Sequence, residues 1–180
     1  GSISIIDAQA ETASTPVPVN PLNTSPTIDI AQVAQFNDTT KNSQFNHIWI
    51  LQADGTVSVF DATAPGTLTL ITSLATGANP TNLALTRDGT QAYVGLGGTD
   101  QIVAIDTSKL ASSGVTTNAT TPITVGVHRS IQQTINTHTV TVETTTPTVN
   151  FVAVSRGGSS SDLSKAYAST TTSTTYNYYD

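Results

Sequence analysis

Short stretches of alternating apolar and polar residues recur along this chain, each four to seven residues long and closed by turn formers. TVSVFD (56–61), QIVAID (101–106) and SISIID (2–7) read as alternating strands, TVSVFD and SISIID most clearly, and each stops at an Asp. A two-residue period places successive side chains on opposite faces, which is the mark of a half-buried strand. ANPTNLALTRDGTQAYV (78–94) reads as a β-hairpin: Pro80 favours an extended entry, Leu83 and Leu85 alternate with smaller residues, and Asp88-Gly89 supplies the turn. An isolated hairpin is marginal in water, so its partners decide the fold.

Those partners follow from self-similarity. Four segments end in an alternating strand closed by Asp, at Asp7, Asp61, Asp106 and Asp180. Three open with Pro-Thr after a small or polar residue, at Pro26, Pro80 and Pro147. The two signatures alternate strictly, and 19 residues run from Asp7 to Pro26 and again from Asp61 to Pro80. Each unit reads as four strands. After Pro-Thr comes a mostly apolar strand (28–34, 82–86, 149–155), expected to lie innermost and packed on both faces. A second strand follows (47–53, 91–96, 165–170), then the Asp-ending strand, then a fourth, clearest in TLTLITSLATG (67–77). Four antiparallel strands recurring every ~40–50 residues is the period of a β-propeller blade.

NPTNLALTRDGTQAYVGLGGTDQIVAID (79–106) resembles the YVTN-type β-propeller repeat of bacterial and archaeal surface and secreted proteins, which is akin to lactonase-like propellers. The matching elements are Asn79-Pro80, the Arg87-Asp88-Gly89 turn, Tyr93-Val94 and Ile105-Asp106, with Gly95 departing from the repeat. The resemblance implies an all-β propeller fragment of about three four-stranded antiparallel blades, too few to close a ring alone. The expected division is a partial blade at 1–25 (third and fourth strands), a blade at 26–79, a blade at 80–146 carrying an inserted hairpin at about 111–145, and an incomplete blade at 147–180. Such a piece leaves strand edges open, so the expected partners are other copies of the chain or remaining blades, joined by strand pairing.

Composition narrows the chemistry. The 180 residues are 37% hydrophobic but only 10% charged, with Thr, Ser, Asn and Gln making up the polar share. A net charge of −6 with six scattered Lys and Arg builds no basic stripe for phosphates, so nucleic acid is not an expected partner. No run of 18 apolar residues exists to span a bilayer. The absence of Cys removes disulfides, thiolate metal sites and a Cys nucleophile.

In a propeller, the fourth-to-first and second-to-third connections gather on one face. Here those are Thr76–Pro80, Leu96–Asp100, Gln52–Gly55 and Ser169–Thr174, short and made of Gly, Thr, Asn, Ala and Asp. The residues to watch on that face are Asp54, Asn79, Gly97, Gly98 and Asp100, the two carboxylates being expected to bond turn amides. His128, His138 and Glu143 are the only grouping that resembles a metal set, and their spacing matches no tight motif, so neither metal nor cofactor is expected. His47 opens an apolar strand and reads as a packing residue. Asn23, Asn37 and Asn118 match the N-glycosylation acceptor in expected loops. The expected function is a non-catalytic extracellular or cell-surface scaffold, adhesion or assembly module. The alternative is a lactonase-like enzyme whose catalytic groups lie on other blades.

Overall fold

The computed structural model describes residues 2–19, 25–32, 47–64, 66–86, 88–111, 114–115, 119–126, 129–135, 138–154 and 166–176. The chain is all-β, and its only helical turn among these residues is a 3-10 turn at Thr107–Lys109. It opens with β1 (Ser2–Ile3), β2 (Ile6–Asp7), β3 (Thr12–Ala13) and β4 (Val17–Pro18). β1 pairs with β4 and β2 with β3, so one bent hairpin results. The expected single strand SISIID is thus interrupted at Ser4-Ile5, where Ser14 Oγ accepts the Ile5 N–H at 2.9 Å in place of the regular ladder.

Two complete meanders follow. Sheet A orders β5 (Thr27–Gln32), β6 (His47–Gln52), β7 (Thr56–Asp61) and β8 (Thr69–Ala75). Sheet B orders β9 (Pro80–Leu85), β10 (Gln91–Leu96), β11 (Gln101–Asp106) and, after a small excursion through β12 (Leu110–Ala111) and β13 (Gly114–Val115), β14 (Thr120–Thr124). Sheet C has three strands: β15 (Arg129–Ile135), β16 (His138–Val154) and β17 (Ala166–Tyr176). These are the antiparallel sheets of a β-propeller fragment, and they do not close a ring.

Residues 111–145 divide in two. Thr120–Thr124 completes sheet B, while β15 and the first half of β16 form a hairpin whose return strand runs without a break past Pro147 into sheet C. Residues 169–174, expected as a connection, lie inside β17. The run from Ala166 to Tyr176 holds no Gly, Pro, Asn or Asp, and its Thr residues favour extension, so nothing turns the chain.

The sheets stack face to face. Trp49, Leu51, Val57, Val59 and Leu74 of sheet A meet Leu83, Leu85, Val94, Leu96, Val103 and Ile105 of sheet B. The other face of sheet B, through Ile102, Tyr93 and Ala84, meets Val149, Val152, Ala166 and Ala168 of sheet C. The other face of sheet A, through Ile48, Ile50 and Phe60, is covered by Ile3, Val17 and Val19 beside the opening hairpin. The order through the stack is therefore hairpin, A, B, C. Each fully buried aliphatic side chain contributes ~1.5–3 kcal/mol relative to exposure.

The first strand of sheet A is less buried than its apolar sequence suggests, whereas β9 of sheet B has no exposed position. β5 alternates half-buried with exposed positions, whereas β6 and β7 are buried nearly throughout. Middle strands have neighbours on both edges and both faces; first strands leave one edge at the axis.

That edge is served by side chains instead of a strand. Asn82 Nδ2 donates to the Val152 carbonyl at 2.7 Å and its Oδ1 accepts the Val152 N–H at 2.9 Å, both buried. One strand earlier, Asp29 Oδ2 accepts the Leu83 N–H at 2.8 Å. All three first strands also bulge just after Pro-Thr, between Thr27 and Asp29, opposite Gly95 of β10, and between Val149 and Phe151. Replacing Asn82 by Leu strands a buried N–H and C=O of Val152 and is expected to cost about 2–4 kcal/mol. Urea unfolding of Asn82→Leu against wild type measures it, and a loss below about 0.5 kcal/mol contradicts the assignment.

Candidate functional site

The connections expected to share a face do converge, apart from residues 169–174. Backbone hydrogen bonds tie them into one continuous rim. Ala53 N donates to Pro26 O, Thr76 N to Gly55 O, Gly97 N to Asn79 O, Val125 N to Asp100 O and Val149 N to Thr99 O, at 2.6–2.8 Å. Gly97 also forms an isolated parallel bridge to Val149. The rim crosses all three sheets: residues 25–26 and 52–55, then 76–80, then 96–100 and 125–126, then 147–149.

Local chemistry explains its tightness. Gly55 has φ of +83°, and a Cβ there would collide with the Gly77 carbonyl. Asn79 adopts φ of +53°, a left-handed conformation that Asn tolerates, and this aims its carbonyl at Gly97 N. Gly98, with φ of +75°, turns the next connection and faces open space.

Asp54 on the rim and the carboxylates of the opposite loops hold turns. Asp54 Oδ1 accepts the Thr56 N–H at 3.0 Å, and the Asp54 N–H donates to Ser25 Oγ. Asp100 contributes its carbonyl to the rim. On the connections after the third strands, Asp61 accepts from Thr63 N and Oγ1, and Asp106 accepts from Ser108 N and Oγ. These bonds, led by the Thr63 and Ser108 hydroxyls, hold both carboxyls below the ordinary carboxylate range. At Asp88 burial pushes the carboxyl up, but hydrogen bonds from Thr86 and Thr90 outweigh it and the net shift is downward. A carboxylate bound in this way is a weak proton acceptor and a poor reservoir of protons near neutrality.

Beneath the rim, the first strands enclose a cleft of about 490 Å³ along the axis, lined by residues 29–32, 82–85 and 151–154. Asp29 and Asn82 stand in it, engaged with the backbone across it. Neither is among the residues that the sequence pattern singles out, although each follows Pro-Thr by one or two positions, as Asn150 does in sheet C.

The remaining sequence candidates are dispersed. Glu143 is half-buried on β16, paired with Ile131 of β15 and Tyr176 of β17. His138 begins β16. His128, Asn23, Asn37 and Asn118 lie outside the described residues. Among the described residues no group of three His, Cys, Asp or Glu is placed to hold a metal. No helix among them is long and apolar enough to cross a membrane. His47 opens β6 opposite Asp61, half-buried, and burial holds its imidazole below the ordinary histidine value despite the pull of Asp61.

No family model and no curated protein matches the chain. Among solved structures, it is similar to Kuenenia stuttgartiensis hydrazine synthase, at 17% identity and a TM-score of 0.46. The match covers 82% of this chain and 50% of that one, so the chain spans half the length of this structural neighbour.

Two measurements test this site. Gly55→Ala is expected to lose at least about 2 kcal/mol of stability in urea unfolding, since a strained φ and a backbone collision act together. An Asn79→Gly control should be nearly neutral. In pH titrations of thermal stability, His47 has a lowered folded-state value, so its contribution is present above about pH 6.5 and lost as pH falls below it. Asp61 and Asp106, also lowered, contribute above about pH 3.9 and lose it as pH falls through their folded values. Two descending steps are expected, and His47→Gln should abolish the upper one alone.

Proposed function

We propose that this chain is part of a YVTN-type β-propeller at the cell surface or outside the cell, working as a non-catalytic scaffold for adhesion or assembly. The observation that supports this most is the use of its carboxylates. Asp54, Asp61, Asp88 and Asp106 all accept hydrogen bonds within turns, and Asp29 ties one sheet to the next. The rim where an enzyme of this architecture would place its acid and base is built, among the described residues, mainly from backbone amides, Thr hydroxyls and Gly, with Asp54 and Asp100 as its carboxylates and Asp54 engaged with the Thr56 N–H. Such a surface offers many weak neutral donors and acceptors around an open cleft. That chemistry suits holding a partner in place, because geometry and not proton transfer sets its selectivity.

Two assays test the reading. Purified chain incubated with a panel of γ- and δ-lactones is expected to hydrolyse them no faster than buffer. Saturable turnover abolished by Asp54→Asn or Asp100→Asn would overturn the scaffold role in favour of the lactonase alternative. Intact cells expressing the native gene should lose the protein to externally added protease; full protection contradicts the surface placement.

A further inference from the structure

The cleft along the axis changes character from one end to the other. Four residues of each first strand line it, so at roughly 3.3 Å per residue it runs for about 10 Å. Its volume of about 490 Å³ is that of a small-molecule site. At the rim end two side chains cross it, Asp29 to the Leu83 N–H and Asn82 to both backbone groups of Val152. Away from the rim its walls are aliphatic, with Ile30 and Ala31 on one strand, Leu85 on the next and Val154 on the third.

The rim end is short of donors and carries a charge. In an antiparallel strand the N–H and C=O of one residue point to the same side, and successive residues alternate. Leu83 N–H reaches Asp29 across the cleft, whereas Thr86 N–H reaches Gln91 of the neighbouring β10. The Leu83 carbonyl therefore points into the cleft too. Asp29 accepts the Ile30 N–H on Oδ1 at 2.9 Å and the Leu83 N–H on Oδ2 at 2.8 Å. Each carboxylate oxygen retains a second acceptor position. The N–H groups of Ile30, Leu83 and Val152 are already engaged. Among the described residues Lys109 pairs with Asp106, and no cation answers Asp29.

We propose that this cleft binds a primary alkylammonium. The ammonium brings three donors and one positive charge to the Asp29 carboxylate and the Leu83 carbonyl. Its alkyl body lies along Ile30, Ala31, Leu85 and Val154, where it displaces water from apolar wall. Neither of the other ion classes suits the site. An anion meets the Asp29 charge, and a hard metal ion takes six or more oxygens where the described acceptors are the Asp29 carboxylate and one carbonyl. Described strands bound the cleft on three sides, so further blades would close it into a channel without removing these walls. The inference gives the cleft a ligand class and rests on the fold, not on the scaffold role.

Amide shifts of the ¹⁵N-labelled 180-residue chain, titrated with n-butylammonium chloride against potassium chloride at equal ionic strength, test it. Saturable shifts are expected at Ile30, Leu83 and Leu85, with n-butanol at least about tenfold weaker and butyrate without effect. Asp29→Asn keeps an acceptor for the Leu83 N–H and should weaken n-butylammonium at least about tenfold. The comparison of n-butylammonium with n-butanol on wild type decides the matter even where that variant fails to fold. Nα-acetyl-lysine methylamide presents the same head from a peptide. Binding tighter than that of n-butylammonium names a lysine of a partner chain as the occupant, and weaker binding names a free amine. Equal binding of n-butanol, or shifts spread over the Asp61, Asp88 and Asp106 turns with none at Leu83, overturns the inference. Its failure leaves the scaffold role standing, and lactone turnover would remove that role without touching the cleft.

Discussion

Sheets with two apolar faces impose the constraint from which the rest of this molecule follows. Sheet A buries Trp49, Leu51, Val57 and Val59 on one side and Ile50 and Phe60 on the other. Neither face tolerates water, so sheet A must be sandwiched, and the same holds for sheet B. A sheet sandwiched by its own kind repeats the requirement at each step. Stacking therefore propagates, and only closure or a polar face ends it. Sheet C ends it partially: its inner face is apolar, while the outer face passes from Phe151 and Tyr167 into Thr and Ser.

Stacking of this kind crowds the first strands around an axis where no further strand fits. Unpaired backbone there would be left without partners, and buried amides rarely go without them. The chain places a polar side chain just past Pro-Thr, and Asn82 supplies to Val152 the donor and acceptor that a neighbouring strand would have supplied. The bulge in each first strand re-aims these side chains across the axis. The same convergence draws the connections into a rim, where Gly and Asn at positive φ allow backbone to approach backbone. Fold and candidate site are two consequences of one packing problem.

The chemistry of the loops opposite that rim is set by what their turns consume. Asp before a Thr or Ser two residues on makes a closed loop of hydrogen bonds, which stabilises the ionised carboxylate and removes it from proton exchange. A protein so poor in charge, using its acids in this way, retains mainly hydroxyls, amides and apolar faces for contact with others. Binding between such surfaces depends on shape and buried area more than on ion pairing.

Much of this was legible in the sequence. The apolar-rich runs of β7, β10 and β11 were located because each is short and bracketed by turn formers. The Pro-Thr and Asp landmarks marked the repeat, and the expected rim connections were readable from Gly and Asn. The sequence did not disclose that β17 continues without a break from Ser169 to Tyr176, since Thr serves strands and loops alike. Nor did it reveal Asp29 and Asn82 as struts between sheets, because a polar residue in an apolar run looks the same whether it meets water or a backbone 54 or 70 positions away. Periodicity is a local property and fixes which face of a strand is apolar. Which sheet covers that face, and which polar group completes an open edge, depends on chain segments brought together only by folding, and the tertiary structure alone decided it.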